Sequence, residues 1–186
     1  MKKVLFFIAS VAIIVLFFSS CKKTEVATLI TPPTGPADVL ITQLPSPDPT
    51  TANGNTLFTI TLQVEAKNKD AYLPKTVTPF NVQADDAGGI GAIVKAEGYE
   101  TFAVMSNIAA DPAEVTAEGA TDKTSAFLIK ANTKCKIMVK KVVTDSRGIR
   151  GKFAYELVDF KTFSNFALTE GKIHKLLGFA TSTINL

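Results

Sequence analysis

Between Leu57 and Ala66 the side chains alternate strictly: Phe58, Ile60, Leu62, Val64 and Ala66 take the even positions, and Thr59, Thr61, Gln63 and Glu65 most of the odd ones. Successive strand side chains point to opposite faces, so this period of two specifies a strand with one dry and one wet face. The pattern returns downstream. Lys75–Ala84 sets Phe80, Val82 and Ala84 inward, and Pro79, which lacks an amide donor, marks an edge or a bulge. Ile90–Lys95 and Tyr99–Ser106 follow, with Gly88-Gly89 and Glu97-Gly98 as turn signals. Ser125–Lys130, Lys136–Thr144 and Lys152–Val158 come next, the last with Phe153, Tyr155 and Leu157 on one face. Ala37–Leu44 forms a short early candidate, set off by the proline-rich Pro45–Pro49, and Lys172–Ala180 a final, less regular one.

Only Asp111–Glu118 invites a helix, with Pro112 suited to the first turn after an Asp cap and Glu114 and Glu118 four apart. Its short length and Val115-Thr116 suit a loop or strand nearly as well. Nine or ten strands with turn signals about every 8–12 residues predict an all-β domain over residues 37–186, an antiparallel two-sheet sandwich of immunoglobulin-like type. Thr144-Asp145-Ser146-Arg147-Gly148, followed by Lys152–Val158, resembles the closing hairpin of bacterial immunoglobulin-like domains. Ala96-Glu97-Gly98-Tyr99 resembles a segment of transthyretin-type sandwiches, in which a Thr-Asp-x-x-Gly element precedes the Gly-Tyr element; here the order is reversed.

The first 23 residues carry an address. Lys2 and Lys3 form a positive start, Val4–Phe18 is an uncharged and almost wholly apolar run, and Ser19-Ser20-Cys21 closes it. Fifteen residues suit a signal-peptide core better than a membrane-spanning helix, which needs about 20. The segment resembles the signals of bacterial lipoproteins, with Phe18 and Ser20 where the usual box has Leu and Gly or Ala. That resemblance implies cleavage after residue 20 and acylation of Cys21, which anchors the chain in a membrane through several acyl chains. Lys22 after the cysteine, rather than Asp, implies sorting to the outer membrane, on its periplasmic or surface face. Residues 21–36, ending in Thr31-Pro32-Pro33-Thr34-Gly35-Pro36, read as a tether.

Without Lys2 and Lys3 the chain keeps 18 of its 20 Lys and Arg residues against 17 acids. A near-neutral body gives no bulk argument for nucleic-acid binding. With Cys21 acylated, Cys135 has no partner within the chain. Alternation places it with Ile137 and Val139, as a small buried hydrophobe.

Residues of catalytic type are sparse. His174 is the sole histidine, and the chain holds no Gly-x-Ser-x-Gly nucleophile turn and no second set of zinc-type ligands beside Cys135. No catalytic residue and no cofactor is predicted. Residues 85–122 hold Asp85, Asp86, Glu97, Glu100, Asp111, Glu114, Glu118 and Asp122 against Lys95 alone. That run suits a solvated acidic edge; carboxylate-based polysaccharide cleavage and loop-bound Ca²⁺ are the alternatives. Residues 123–152 then carry nine bases against Asp145. Lys134, Lys136, Lys140, Lys141, Arg147 and Arg150 could form a stripe for an anionic ligand, pair across the sheet with the acids, or serve as the wet face of two strands. The expectation is a membrane-anchored module that binds a glycan or a protein partner of the envelope. A carboxylate-dependent enzyme and an accessory subunit pairing through an edge strand are the alternatives.

Overall fold

The computed structural model describes residues 36–79, 89–97, 113–144, 146 and 150–186. Cys21 and the tether up to Gly35 lie outside them, as do Phe80, Val82 and Ala84, the Tyr99–Ser106 strand candidate, Asp145 and Arg147. The described chain forms strands β1 (Val39–Leu44), β2 (Thr50–Ala52), β3 (Asn55–Ala66), β4 (Ala71–Pro74), β5 (Val77–Pro79) and β6 (Ile90–Glu97). There follow β7 (Ala113–Glu118), β8 (Thr121–Asp122), β9 (Ala126–Ile129), β10 (Lys134–Val143), β11 (Lys152–Phe163), β12 (Gly171–Ala180) and β13 (Ile184–Asn185).

The strands make two sheets. The first runs β1-β3-β10-β7, with β2 beside the start of β3. The second runs β5-β6-β11-β4-β9-β8, with β12 and β13 also on β11. Among the described residues every pairing is antiparallel except β5 on β6. The expected two-sheet antiparallel sandwich is thus what the chain forms, with one parallel exception.

Alternation explains the core. The even side chains of β3 and the odd ones of β10 (Phe58, Ile60, Leu62, Val64; Cys135, Ile137, Val139) are buried against Phe153, Tyr155, Leu157 and Phe160 of β11. Phe58 and Tyr155 meet between the sheets with ring centroids 6.4 Å apart. Fully burying each large apolar side chain stabilises the fold by about 1.5–3 kcal/mol.

Three expectations are corrected. Asp111–Glu118 contains no helix among its described residues; Ala113–Glu118 is a strand paired with β10, with Val115 buried and Glu114 and Glu118 exposed. Burial of Val115 against the core outweighs the weak cap and propensity signals of so short a segment. The 144–151 segment is no hairpin, because β10 and β11 belong to opposite sheets and the segment carries the chain from one to the other. Strand Lys152–Val158 runs on to Phe163 through an irregularity, in which Val158 alone faces Leu176, Leu177 and Gly178 of β12. Gly178 takes φ +76° there, a conformation costly for any residue with a Cβ. This bulge turns Leu176 into the core and leaves Leu177 90% exposed.

One side of the sandwich is strapped shut. Gln43 Nε2 on β1 donates to the Ala180 carbonyl at the end of β12 at 2.8 Å, and Lys172 Nζ donates to Asp38 Oδ1 at 2.8 Å. Beyond the strands Ser182 Oγ donates to Asp48 Oδ1 at 2.6 Å.

Candidate functional site

The basic stripe is the richest concentration of charge that the sequence offers, and β10 decides its shape. Lys134, Lys136 and Lys140 stand on the outer face of the first sheet, together with Met138 and Val142. Lys141 has the opposite parity, in register with the core residue Phe58, and is buried at 4% exposure. It therefore does not join the other three. Arg150 is exposed at the far end of the 144–151 crossing, and Arg147 lies outside the described residues. The six residues do not form one surface stripe among the described residues; three of them do.

Those three lysines have carboxylates in register. Lys134 faces Glu65 on β3, while Lys136 faces Glu118 and Lys140 faces Glu114 on β7. Lys134 Nζ lies 3.8 Å from Glu65, and Lys136 Nζ lies 3.9 Å from Glu118. Lys67 also binds Glu65 at 2.6 Å and holds its carboxyl below the usual range. Lys134 thus shares Glu65 with Lys67, Lys136 meets Glu118, and Lys140 stands in register with Glu114 without an ion pair among the described residues. Exposed pairs of this kind contribute little to stability. Their effect is on which charges the face shows to a partner.

A second group surrounds the bulge in β11. Asp159 is buried with its side chain 4% exposed, and Lys175 Nζ of β12 reaches Oδ2 at 3.4 Å. Two positions on, Thr162 is fully buried, and its hydroxyl lies 3.0 Å from His174 Nε2. Burial and the nearby Lys172 charge hold the His174 imidazole below its usual value, against an opposing pull from Asp38. Sequence reading singled out His174 but neither Asp159 nor Thr162. The bulge that flips the strand's parity after Leu157 has no mark in the residue pattern.

The acids that sequence reading offered for carboxylate chemistry fall in two groups. Asp85, Asp86, Glu100 and Asp111 lie outside the described residues. Asp122 is bonded to Lys75 and Glu118 to Lys136, Glu114 is exposed on β7, and Glu97 ends β6. Elsewhere Asp70 pairs with Lys130 at 2.8 Å and Glu156 with Lys95. Among the described residues no three His, Cys, Asp or Glu side chains gather as a metal site requires. Cys135 is buried on the core face of β10, and desolvation pushes its thiol up to about 11. Comparison with protein-family models, curated proteins and solved structures finds no match to this chain.

Proposed function

We propose that this protein is a lipid-anchored module of the bacterial cell envelope, held in the outer membrane through Cys21, which acts by binding a protein or glycan rather than by catalysis. The observation that carries this reading is the order of the chain: an export leader ending in Ser19-Ser20-Cys21, a proline-rich tether, and then a β body whose first strand starts at Val39. The wiring of the acids supports it, because Asp38, Glu65, Asp70, Glu118, Asp122, Glu156 and Asp159 each contact a lysine. Carboxylates tied to lysines on several strands stabilise and tune a surface; glycoside cleavage uses two that face one bond.

The test is the intact mass of the native protein extracted from membranes, beside a Cys21→Ala variant. Loss of residues 1–20 with a gain of lipid mass, both absent in the variant, is the expected result. A full-length unmodified chain would overturn the anchor. A capture experiment on native envelopes then reads the binding half of the proposal, and hydrolysis of envelope polysaccharide by the purified chain would overturn it.

A further inference from the structure

The outer face of the second sheet carries an aromatic cluster that the core does not use. On β4, Ala71 and Leu73 turn into the core and Tyr72 turns out. Its registered neighbours on that outer face are Phe163 of β11 and Leu128 of β9, 4% and 6% exposed and both outside the main core cluster. They hold the Tyr72 ring from either side. The connection from β11 to β12 then sets Phe166 edge-on to Tyr72, with ring centroids 6.2 Å apart and planes at 61°. Phe166 stays 50% exposed. The connection spends its polar groups on itself: Ser164 N–H donates to the Glu170 carbonyl at 3.0 Å, and Thr169 N–H donates to Asn165 Oδ1 at 3.2 Å. A ring framed in this way loses little freedom when a ligand stacks on it.

Beside the rings stands a paired charge. Lys130 Nζ, two residues beyond Leu128, donates to Asp70 Oδ2 at 2.8 Å, and Asp70 Oδ1 accepts from Ala131 N–H at 2.9 Å. The Tyr72 phenol is close enough to act on the Lys130 charge. The Lys130 and Asp70 side chains are 61% and 36% exposed, so the pair keeps donors and acceptors toward solvent while its net charge is zero. These parts match one ligand chemistry. A pyranose ring turns a face of slightly positive C–H groups to the negative face of an aromatic ring, and its hydroxyls reach sideways to donors and acceptors. The size of the patch speaks against a protein. A whole aromatic side chain buries about 150–250 Å², whereas each side of a stable protein interface buries roughly 800 Å².

We propose that Tyr72, Phe166 and the Asp70–Lys130 pair form a binding site for a hexopyranose unit of an uncharged polysaccharide. The sugar ring stacks on Phe166, and its hydroxyls bond to Lys130 and Asp70. An anionic sugar gains nothing here, because Asp70 opposes it as strongly as Lys130 attracts it. The proposal names a ligand class for the binding-module reading and rests on that reading, not on the lipid anchor.

The test uses the purified full chain in detergent and fluorescein-tagged linear hexasaccharides of glucose, mannose and galactose, followed by fluorescence anisotropy. Saturable binding of at least one is expected, with Kd below about 1 mM. Phe166→Ala should weaken it about tenfold, and Phe166→Trp should preserve it. Phe166→Leu keeps an apolar side chain without a π face and should bind as poorly as Phe166→Ala, with thermal melting checking that each variant folds. Sulfation of the bound sugar should not tighten binding. No binding of any hexasaccharide up to about 10 mM, wild-type affinity in Phe166→Ala or Phe166→Leu, or tighter binding of the sulfated form would each overturn the proposal. So would capture from envelopes of a stoichiometric protein that Phe166→Ala loses, which would give the patch to a protein. If Phe166→Ala binds the sugars as the wild type does, the site falls and the binding-module reading stands. Cleavage of the hexasaccharides by the chain would overturn both.

Discussion

Gly91 on β6 leaves the space that the Asp159 carboxylate fills: the two residues are in register, and a Cβ at 91 would overlap Asp159 Oδ1. The buried carboxylate and its contact to Lys175 thus depend on a missing methyl group one strand away. Gly91→Ala should destabilise the domain by about 1–3 kcal/mol, read by chemical denaturation. Gly178→Ala is the control. Nothing lies within 4 Å of its added Cβ, so only the backbone cost at φ +76° applies, about 1 kcal/mol.

Removing the cation instead of crowding the anion gives a second test. Lys175→Ala leaves Asp159 buried without its lysine, and an unsatisfied buried polar group costs about 1–3 kcal/mol. Lys175→Ala with Asp159→Asn should recover part of that loss. A loss as large in the double variant as in the single one would show that Lys175 acts by packing.

The single histidine sets a pH dependence. The His174 pKa is lower folded than unfolded, where it is about 6.5, so the folded state resists protonation. The associated stability is complete above the unfolded value and is lost as pH falls through the folded one. Melting temperature should therefore drop from pH 7.5 toward pH 5 more steeply in the wild type than in His174→Gln. Parallel curves would mean that His174 titrates identically in both states.

Cys135 should be silent. With its thiol pushed up to about 11, only about one part in a thousand is thiolate at pH 8, and the core face of β10 excludes reagents. A maleimide should label the native chain at Cys135 only after denaturant is added. Prompt labelling of the folded protein would place this part of β10 in an opening that the structure does not show.

The carboxylates in register with the lysine ladder predict an asymmetry. The folded wild type should leave a sulfated-polysaccharide column at low salt, because Glu65, Glu114 and Glu118 oppose Lys134, Lys136 and Lys140. Changing the three glutamates to glutamine should raise the elution salt; changing the three lysines should hardly move it. Strong retention of the wild type would restore the anionic-ligand stripe.

Strands with one dry face were legible, because burial writes a period of two into residues such as Phe58–Val64 and Cys135–Val139. The same rule already held the position of Lys141, which shares parity with Cys135; counting charges along the chain instead of by face hid it. Ala113–Glu118 was ambiguous for a physical reason. A spacing of four puts Glu114 and Glu118 on one face of a helix and equally on one face of a strand. Sheet membership was not legible, since β10 and β11 alternate equally well whichever sheet they join. The seat of Asp159 depends on the bulge after Leu157, which register reveals and residue types do not.

The strand that receives the chain from its N-terminal side has a mechanical consequence. Strand β1 lies antiparallel to β3 over six registered pairs, from Val39–Ala66 to Leu44–Thr61, and is strapped sideways to β12. A tug along β1 loads all six pairs together in shear rather than peeling them one by one. The domain can then bear sustained tension applied along β1.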